Sequence, residues 1–417
     1  MPNNTKISYK STTIACYIGL FVQAIVINLT PILFIPLREQ FGLSFQQLGF
    51  LVLINFITQV ACDILFSGIV DKYGYRSFAA VSHLLTIVGF IIFAISPFIM
   101  DKPYIGFVIG TIVFSGSGGL LELLLSPIIN SIPTDEKATA MSVLHSFYAW
   151  GQVAVVLLTT VSLFIFGTKA WQLIMLIWII VPLFNFILFL KVPLAPPIPE
   201  EHRQGMRMLI FKPFFIICFL AIGFGGAAEV SMNQWTSAFM DRAMDLPKII
   251  GDTGGMCMFA IMLGLGRLLY GIYGSKINLL KIMFIGTLAA SCCYIIVAFS
   301  FINLLSLAAC AICGIAVSLL WPGTLVIASK KFPLAGAWLF AILAAGGDIG
   351  ASVGPWMLGV VTEQSPKVPF ISNLAIQFSL SSDQIGLRIG MFIAALFPIG
   401  AFICILAMSR LKATDLT

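Results

Sequence analysis

Twelve apolar runs, each near the length that crosses a bilayer as a helix, constrain this chain more than any other feature. They lie near 12–36, 47–69, 77–99, 104–130, 138–166, 170–190, 211–240, 253–273, 278–300, 302–328, 333–361 and 387–409, and are called spans 1 to 12 in that order. A helix needs about 20 apolar residues to cross the hydrocarbon core. A membrane barrel would instead show alternating segments about half as long. Only helices and closed barrels satisfy the backbone in lipid, so the expected fold is an all-α polytopic membrane protein with twelve transmembrane helices. Composition agrees. Only 10% of the 417 residues are charged and 59% are hydrophobic, against roughly 25% charged in a soluble domain. A soluble enzyme, a secreted disulfide scaffold, a nucleic-acid binder and a disordered chain are all excluded. The run beginning near Thr12 is too long for a signal-peptide core, so it is expected to remain as span 1.

Polar breaks divide the runs six and six. The longest, Lys191 to Arg207, holds Pro193, Pro196, Pro197 and Pro199, then Glu200, Glu201, His202 and Arg203. The expected organisation is a six-helix half over 1–190, a cytosolic linker over 191–208 and a second six-helix half over 209–417. The stretch Glu363 to Leu387 has room for a short lid or surface helix. Lys and Arg set the orientation. With the N-terminus in the cytosol, 16 of the 23 basic residues fall on the inside and seven outside: Arg38, Lys102, Lys169, Arg242, Lys248, Lys367 and Arg388. Both termini are therefore expected to be cytoplasmic, in a membrane of the bacterial inner type. The same asymmetry accounts for the net charge of +6 without an anionic partner.

The two halves repeat. Gly119 precedes Pro127 by eight residues in span 4, and Gly314 precedes Pro322 by eight in span 10, at an offset of 195 that also carries Gly151 of span 5 onto Gly346 of span 11. Two pseudo-symmetric halves suit a rocker-switch transporter with its solute held near the midplane, and glycines at helix contacts let backbones approach closely. The polar positions do not repeat: Glu122 maps onto Val317, and Asp348 onto Val153.

The loop after span 2 reads Gly68-Ile-Val-Asp71-Lys72-Tyr-Gly74-Tyr-Arg76. This resembles the loop signature of the major facilitator superfamily, Gly-x-x-x-Asp-(Arg/Lys)-x-Gly-x-(Arg/Lys). Further segments are similar to its fucose permease branch. Span 4 reads Gly116-Ser-Gly-Gly119-Leu-Leu-Glu122, then Ser126-Pro127. Span 7 reads Gly226-Ala-Ala-Glu229 with Trp235. Span 8 carries Gly264-Leu-Gly266-Arg267, span 10 Trp321-Pro322, and span 11 Gly346-Gly347 and Gly354-Pro355. The resemblance implies that Gly68, Asp71, Gly74, Arg76 and Arg267 act as conformational-lock or structural residues, and that Glu122 matches the family's span-4 glutamate. The acidic residue that the branch is expected to carry in span 1 is absent: the chain there reads Asn28-Leu-Thr30-Pro31.

Each ionisable residue within a span costs about 2.5–3.5 kcal/mol on insertion scales, so it is expected to face a cavity or a partner. Glu122 and His145 both lie about nine residues from the turn joining spans 4 and 5, roughly 13 Å deep at the rise of an α-helix. Two readings stand: the two residues carry a coupling proton, or they form a static pair that pins the helices. Asp348, among the glycines of span 11, is a second proton-site candidate or a gate residue. Asn55, Gln59 and Asp63 recur every four residues and place a polar stripe on one face of span 2. In span 7, Glu229, Asn233, Gln234 and Trp235 offer a carboxylate, amides and an aromatic face, which suit a sugar. Asn28, Gln152 and Trp321 complete the candidate solute contacts. His83 is expected to be a bonded structural histidine.

No metal, cofactor or catalytic site is expected, and the chain is not read as an enzyme. Cys310-Ala-Ile-Cys313 has the spacing of a zinc or redox pair, but it has no second pair and lies in wholly apolar sequence; inert buried thiols fit better. A phosphate-binding loop and a voltage-sensor arginine series are both missing from the sequence. The reading is a monomeric secondary transporter of a small polar solute, a sugar, by proton symport. Proton-antiport export of a drug-like or metabolic solute is the first alternative, although span 5 lacks the exporters' Gly-x-x-x-Gly-Pro-x-x-Gly-Gly run. A non-transporting membrane sensor is the second.

Overall fold

The computed structural model describes residues 8–133, 137–194, 211–274, 277–332 and 336–414; within them it leaves out the side chains of 67–68, 71–73, 130, 137–142, 336–338, 340 and 412–414. The described residues form helices and short connections, with no strand among them. Eleven helical stretches are long and apolar enough to cross a membrane: Lys10–Ile32, Phe45–Phe66, Tyr75–Ile99, Pro103–Ile129, Val143–Phe166, Thr168–Lys191, Pro213–Arg242, Lys248–Tyr273, Leu279–Phe299, Asn303–Lys331 and Ser382–Leu411. The helix Gly336–Gln364 covers the remaining expected run, span 11. The molecule is an all-α polytopic membrane protein.

Several boundaries differ from the expected ones. Span 1 ends at Ile32, just after Pro31, and the chain continues as a separate helix, Phe34–Phe41, that stops at Gly42. Span 8 begins at Lys248 instead of 253, which brings Asp252 inside it. Between spans 11 and 12 lies the short helix Pro369–Gln377. Span 12 then starts with a capping box: Ser381 Oγ accepts from Gln384 N, and the Gln384 side chain accepts from Ser381 N.

The chain groups into two compact units. The first comprises Met1–Leu29, Thr58–Val155 and Phe166–Glu201; the second comprises Thr30–Ile57, Val156–Ile165 and His202–Thr417. Pieces of spans 1, 2 and 5 thus belong with the C-terminal part of the sequence.

Unit 1 is built on an apolar core that includes Leu121, Leu124, Leu144 and Phe189. Spans 2 and 4 meet at glycines: a Cβ on Gly119 would lie 2.7 Å from the Gln59 carbonyl oxygen. Span 3 is tied to spans 1 and 6 through His83, which is fully buried. Its Nδ1 lies 2.6 Å from the Ala79 carbonyl and its Nε2 2.8 Å from Asn185 Nδ2, and Asn185 also donates to the Ala15 carbonyl at 3.0 Å. His83 is the bonded structural histidine that was expected.

Unit 2 has its own core, including Phe215, Ile222, Leu343 and Met408. Its central feature is a seam between spans 7 and 11, where Gly223 and Gly226 face Gly346, Gly347 and Gly350. A Cβ on Gly350 would collide with the backbone carbonyl of Gly223. The offset of 195 also has a spatial counterpart within each unit. Gly119 packs on span 2 and Gly314 on span 8, while Gly151 packs on span 1 and Gly346 on span 7.

The long N-terminal stretch in unit 2 is clasped by polar groups. Arg38 donates to both carboxylate oxygens of Asp383, at 2.8 and 3.0 Å, and lies over the Phe45 ring at 4.0 Å. Glu39 pairs with Arg242, and the Phe45 amide donates to Glu363 at 3.1 Å. Gly49 abuts the backbone of Pro355 and Trp356.

Gly350→Ala tests the seam. Overpacking a well-filled contact costs about 1–3 kcal/mol, and here the obstacle is backbone, which cannot rotate away. The variant is expected to melt several degrees below wild type in detergent, and an unchanged melting temperature would show that the seam is loose.

Candidate functional site

Two polar side chains of unit 1 meet Glu122. Its carboxylate accepts a 3.1 Å hydrogen bond from Gln23 Nε2 of span 1. The Asp63 carboxylate of span 2 approaches it, with oxygens within 4.8 Å of each other. Asp63 Oδ1 is buried without a hydrogen-bond partner among the described residues. Gly118 and Gly119 permit this approach, since each puts span 4 directly against Gln59. His145, the expected neighbour of Glu122, is instead placed beside Ser126, 3.5 Å from its hydroxyl, on an exposed face. Equal depth on adjacent spans fixes height but not azimuth. Asn28, Gln59 and Gln152 are all buried in this unit. Asn28 donates back to the Ala24 carbonyl at 3.0 Å. The cleft bounded by Tyr17, Phe21, Phe147 and Phe184 exposes no polar surface, so it offers nothing to a hydroxylated solute.

In unit 2 the span-7 constellation is rearranged. Glu229 is bound by Arg267, whose Nη2 reaches its two carboxylate oxygens at 3.0 and 3.1 Å. Arg267 Nε also donates to the Ser318 carbonyl at 3.2 Å. Glu229, expected as a solute contact, is thus held by Arg267, expected as a lock or structural residue, and together they tie spans 7, 8 and 10. Trp235 is enclosed as well. It is fully buried, its indole N–H donates to the Pro355 carbonyl at 3.0 Å, and Phe34 and Phe45 pack on it at 5.3 and 5.8 Å. A large amphipathic ring in a dry contact needs one hydrogen-bond acceptor, and a backbone carbonyl supplies it. Asn55, Asn233, Gln234 and Asp348 are buried. Trp321 is half-buried, with its ring over Gly347. The Cys310 and Cys313 thiols are both fully buried, whereas Cys292 is exposed.

The loop between spans 2 and 3 is as tight as its sequence suggests. Helices Phe45–Tyr73 and Tyr75–Ile99 are separated by Gly74 alone, at φ +85° and ψ 151°, a conformation that only glycine adopts readily. Arg76 then donates to the carbonyls of Phe189, Leu190 and Val192 at 2.7–2.8 Å. Its positive charge meets the negative carboxyl end of span 6. The packing of Gly68 and the side chain of Asp71 lie outside the described residues.

The Major Facilitator Superfamily model matches residues 16–355. The chain belongs to that superfamily. Its members are multi-pass membrane transporters, and the fold agrees with solved members. A bacterial homologue of the human lysosomal transporter Spinster superposes with a TM-score of 0.78 at 17% identity, covering 96% of this chain and 97% of that one. A D-xylose–proton symporter gives 0.77 at 16% identity, with 94% and 97% covered. The Escherichia coli fucose:proton symporter gives 0.62 at 15% identity, with 96% and 99% covered. No curated protein matches the sequence.

Sequence reasoning missed Gln23, although an amide inside an apolar run was itself a signal. It also missed Asp252, because span 8 was drawn from 253, and it placed Asp63 only on the polar stripe of span 2. The Glu229–Arg267 pair gives a direct test. Removing one partner of a half-buried pair leaves a charge uncompensated, whereas removing both does not. Glu229→Gln and Arg267→Gln are each expected to lower the melting temperature more than the double variant does. A double variant that falls by the sum of the two would show that the residues act independently.

Proposed function

We propose that this superfamily member is a proton-coupled symporter that brings a small polar solute, a sugar, into the cell by alternating access. The observation that carries the reading is the carboxylate pair Asp63–Glu122. Two negative charges at that spacing repel, and a single proton between them removes the repulsion. Asp63 Oδ1 has no hydrogen-bond partner among the described residues, which leaves it open to a proton or cation. Gln23 steadies Glu122 from the other side. This assigns the coupling proton to Glu122 with Asp63, and leaves His145 and Asp348 as secondary candidates.

Buried amides support a hydroxylated solute: Asn28, Gln59 and Gln152 in one unit, Asn55, Asn233 and Gln234 in the other. An amide both donates and accepts, as a sugar hydroxyl does. Two of the similar folds carry a xylose–proton and a fucose:proton symporter. The basic-residue asymmetry supports cytoplasmic termini and a membrane of the bacterial inner type, with the Arg38–Asp383 end then facing outside. No enzymatic step and no cofactor are invoked, and the working form is a monomer.

The test is solute-induced proton movement in sealed proteoliposomes, scanned over pentoses, hexoses, deoxyhexoses, nucleosides and amphipathic drugs. One sugar is expected to drive protons inward. Proton release by an amphipathic cation, with no response to any sugar, would establish an exporter instead. Glu122→Gln is expected to abolish gradient-driven accumulation while retaining part of the solute exchange. Wild-type accumulation in that variant would remove Glu122 from the proton path.

A further inference from the structure

Span 8 opens unusually. After Lys248–Ile250 its backbone widens into a π-helical stretch, Gly251–Cys257, a local geometry that recurs at functional sites. Two glycines press this stretch onto span 7. A Cβ on Gly251 would lie 3.0 Å from Met240 Cβ and 3.1 Å from the Ser237 carbonyl, and one on Gly255 would overlap the Thr236 methyl. The close approach seats Asp252, fully buried, against Ser237, whose hydroxyl donates to Oδ1. Lys248 Nζ, four residues earlier on the same span, donates to Oδ2 at 2.5 Å. Spans 7 and 8 thus neutralise and orient this carboxylate between them. A further donor comes from span 5: Thr160 Oγ1 bonds Asp252 Oδ2 at 2.7 Å.

We infer that Asp252 is a docking acceptor for the Thr160 hydroxyl, and that Lys248 makes the docking reversible. Alternating access requires the end segments of the N-terminal helices to leave the C-terminal helices in one half of the cycle. A carboxylate that depended on Thr160 alone would be stranded as a bare buried charge on release, at prohibitive cost. Asp252 keeps its ammonium and its Ser237 hydroxyl, so release costs a single hydrogen bond. The bond is nevertheless strong while it lasts, because its acceptor is charged and shielded from water. The neighbouring Arg38–Asp383 and Glu39–Arg242 pairs differ: their side chains are 23–50% exposed, so solvent weakens them and they contribute register more than strength. Thr160 and Asp252 are therefore positioning residues of the transport cycle, whatever the solute or coupling ion.

Hydrogen–deuterium exchange of the full-length protein in lipid nanodiscs tests this without a solute. Thr160→Val is expected to speed amide exchange in 30–57, 156–165 and 251–257 by about tenfold or more, the loss of one hydrogen bond to a charged acceptor. Thr160→Ser, which restores the hydroxyl, is expected to exchange at the wild-type rate. Thr86→Val removes a different buried hydroxyl bond, the 2.7 Å contact to Ser117, and is expected to leave those segments unchanged. Wild-type exchange in Thr160→Val overturns the inference, as does equal acceleration in Thr86→Val. If Thr160→Val does not fold, Thr160→Cys replaces it, since a thiol is a poor donor; wild-type exchange in those segments then overturns the inference equally.

Discussion

Hydrocarbon offers no hydrogen bonds, and nearly every non-obvious contact in this molecule follows from that. Backbone groups are satisfied by making each crossing helical. Polar side chains must then find one another, or find a spare carbonyl. Asn185 shows the economy involved: its amide meets both His83 and the Ala15 carbonyl, so one side chain ties spans 1, 3 and 6. Arg267 does the same for spans 7, 8 and 10 through Glu229 and the Ser318 carbonyl. These residues are costly in lipid only when unpartnered, and their partners fix which helices are neighbours.

Arginines also close helix ends. Arg76 binds the last carbonyls of span 6. Arg388 is its counterpart in unit 2: nearly buried, it donates to the Ala298 and Ser300 carbonyls at 3.1 and 2.6 Å and lies over the Phe301 ring at 4.2 Å. The final carbonyls of a helix lack intrahelical donors and carry partial negative charge. A guanidinium, with five donors in a rigid fork, can serve several at once. This accounts for an arginine buried near the head of an apolar span.

The helical spans and the superfamily were legible in the sequence, because those rest on run length and a glycine-bearing loop. The sequence also identified the glycines that matter; Gly119 and Gly314 each mark a close helix contact. Partners were less legible. Glu229 and Arg267 are 38 residues apart, and depth along a helix says nothing about which way each one faces. The same gap left Gln23 and Asp63, which the structure brings to Glu122, unassigned to it in the sequence reading. Trp235 was ambiguous for a different reason. An indole beside amides suits both a sugar and a dry packing contact, and only its burial between Phe34 and Phe45 decides.

The glycine seam between spans 7 and 11 has a mechanical consequence. Two helices whose backbones touch have no compliant side-chain layer between them, so neither slides or bends without the other. The pair behaves as one stiff beam. Within the pair, the Trp235 indole of span 7 binds the Pro355 carbonyl of span 11 near one end, and the Phe219 ring of span 7 covers Gly346 further along. A load applied at the tryptophan is then delivered at the far end with little loss, as by a pushrod rather than a spring.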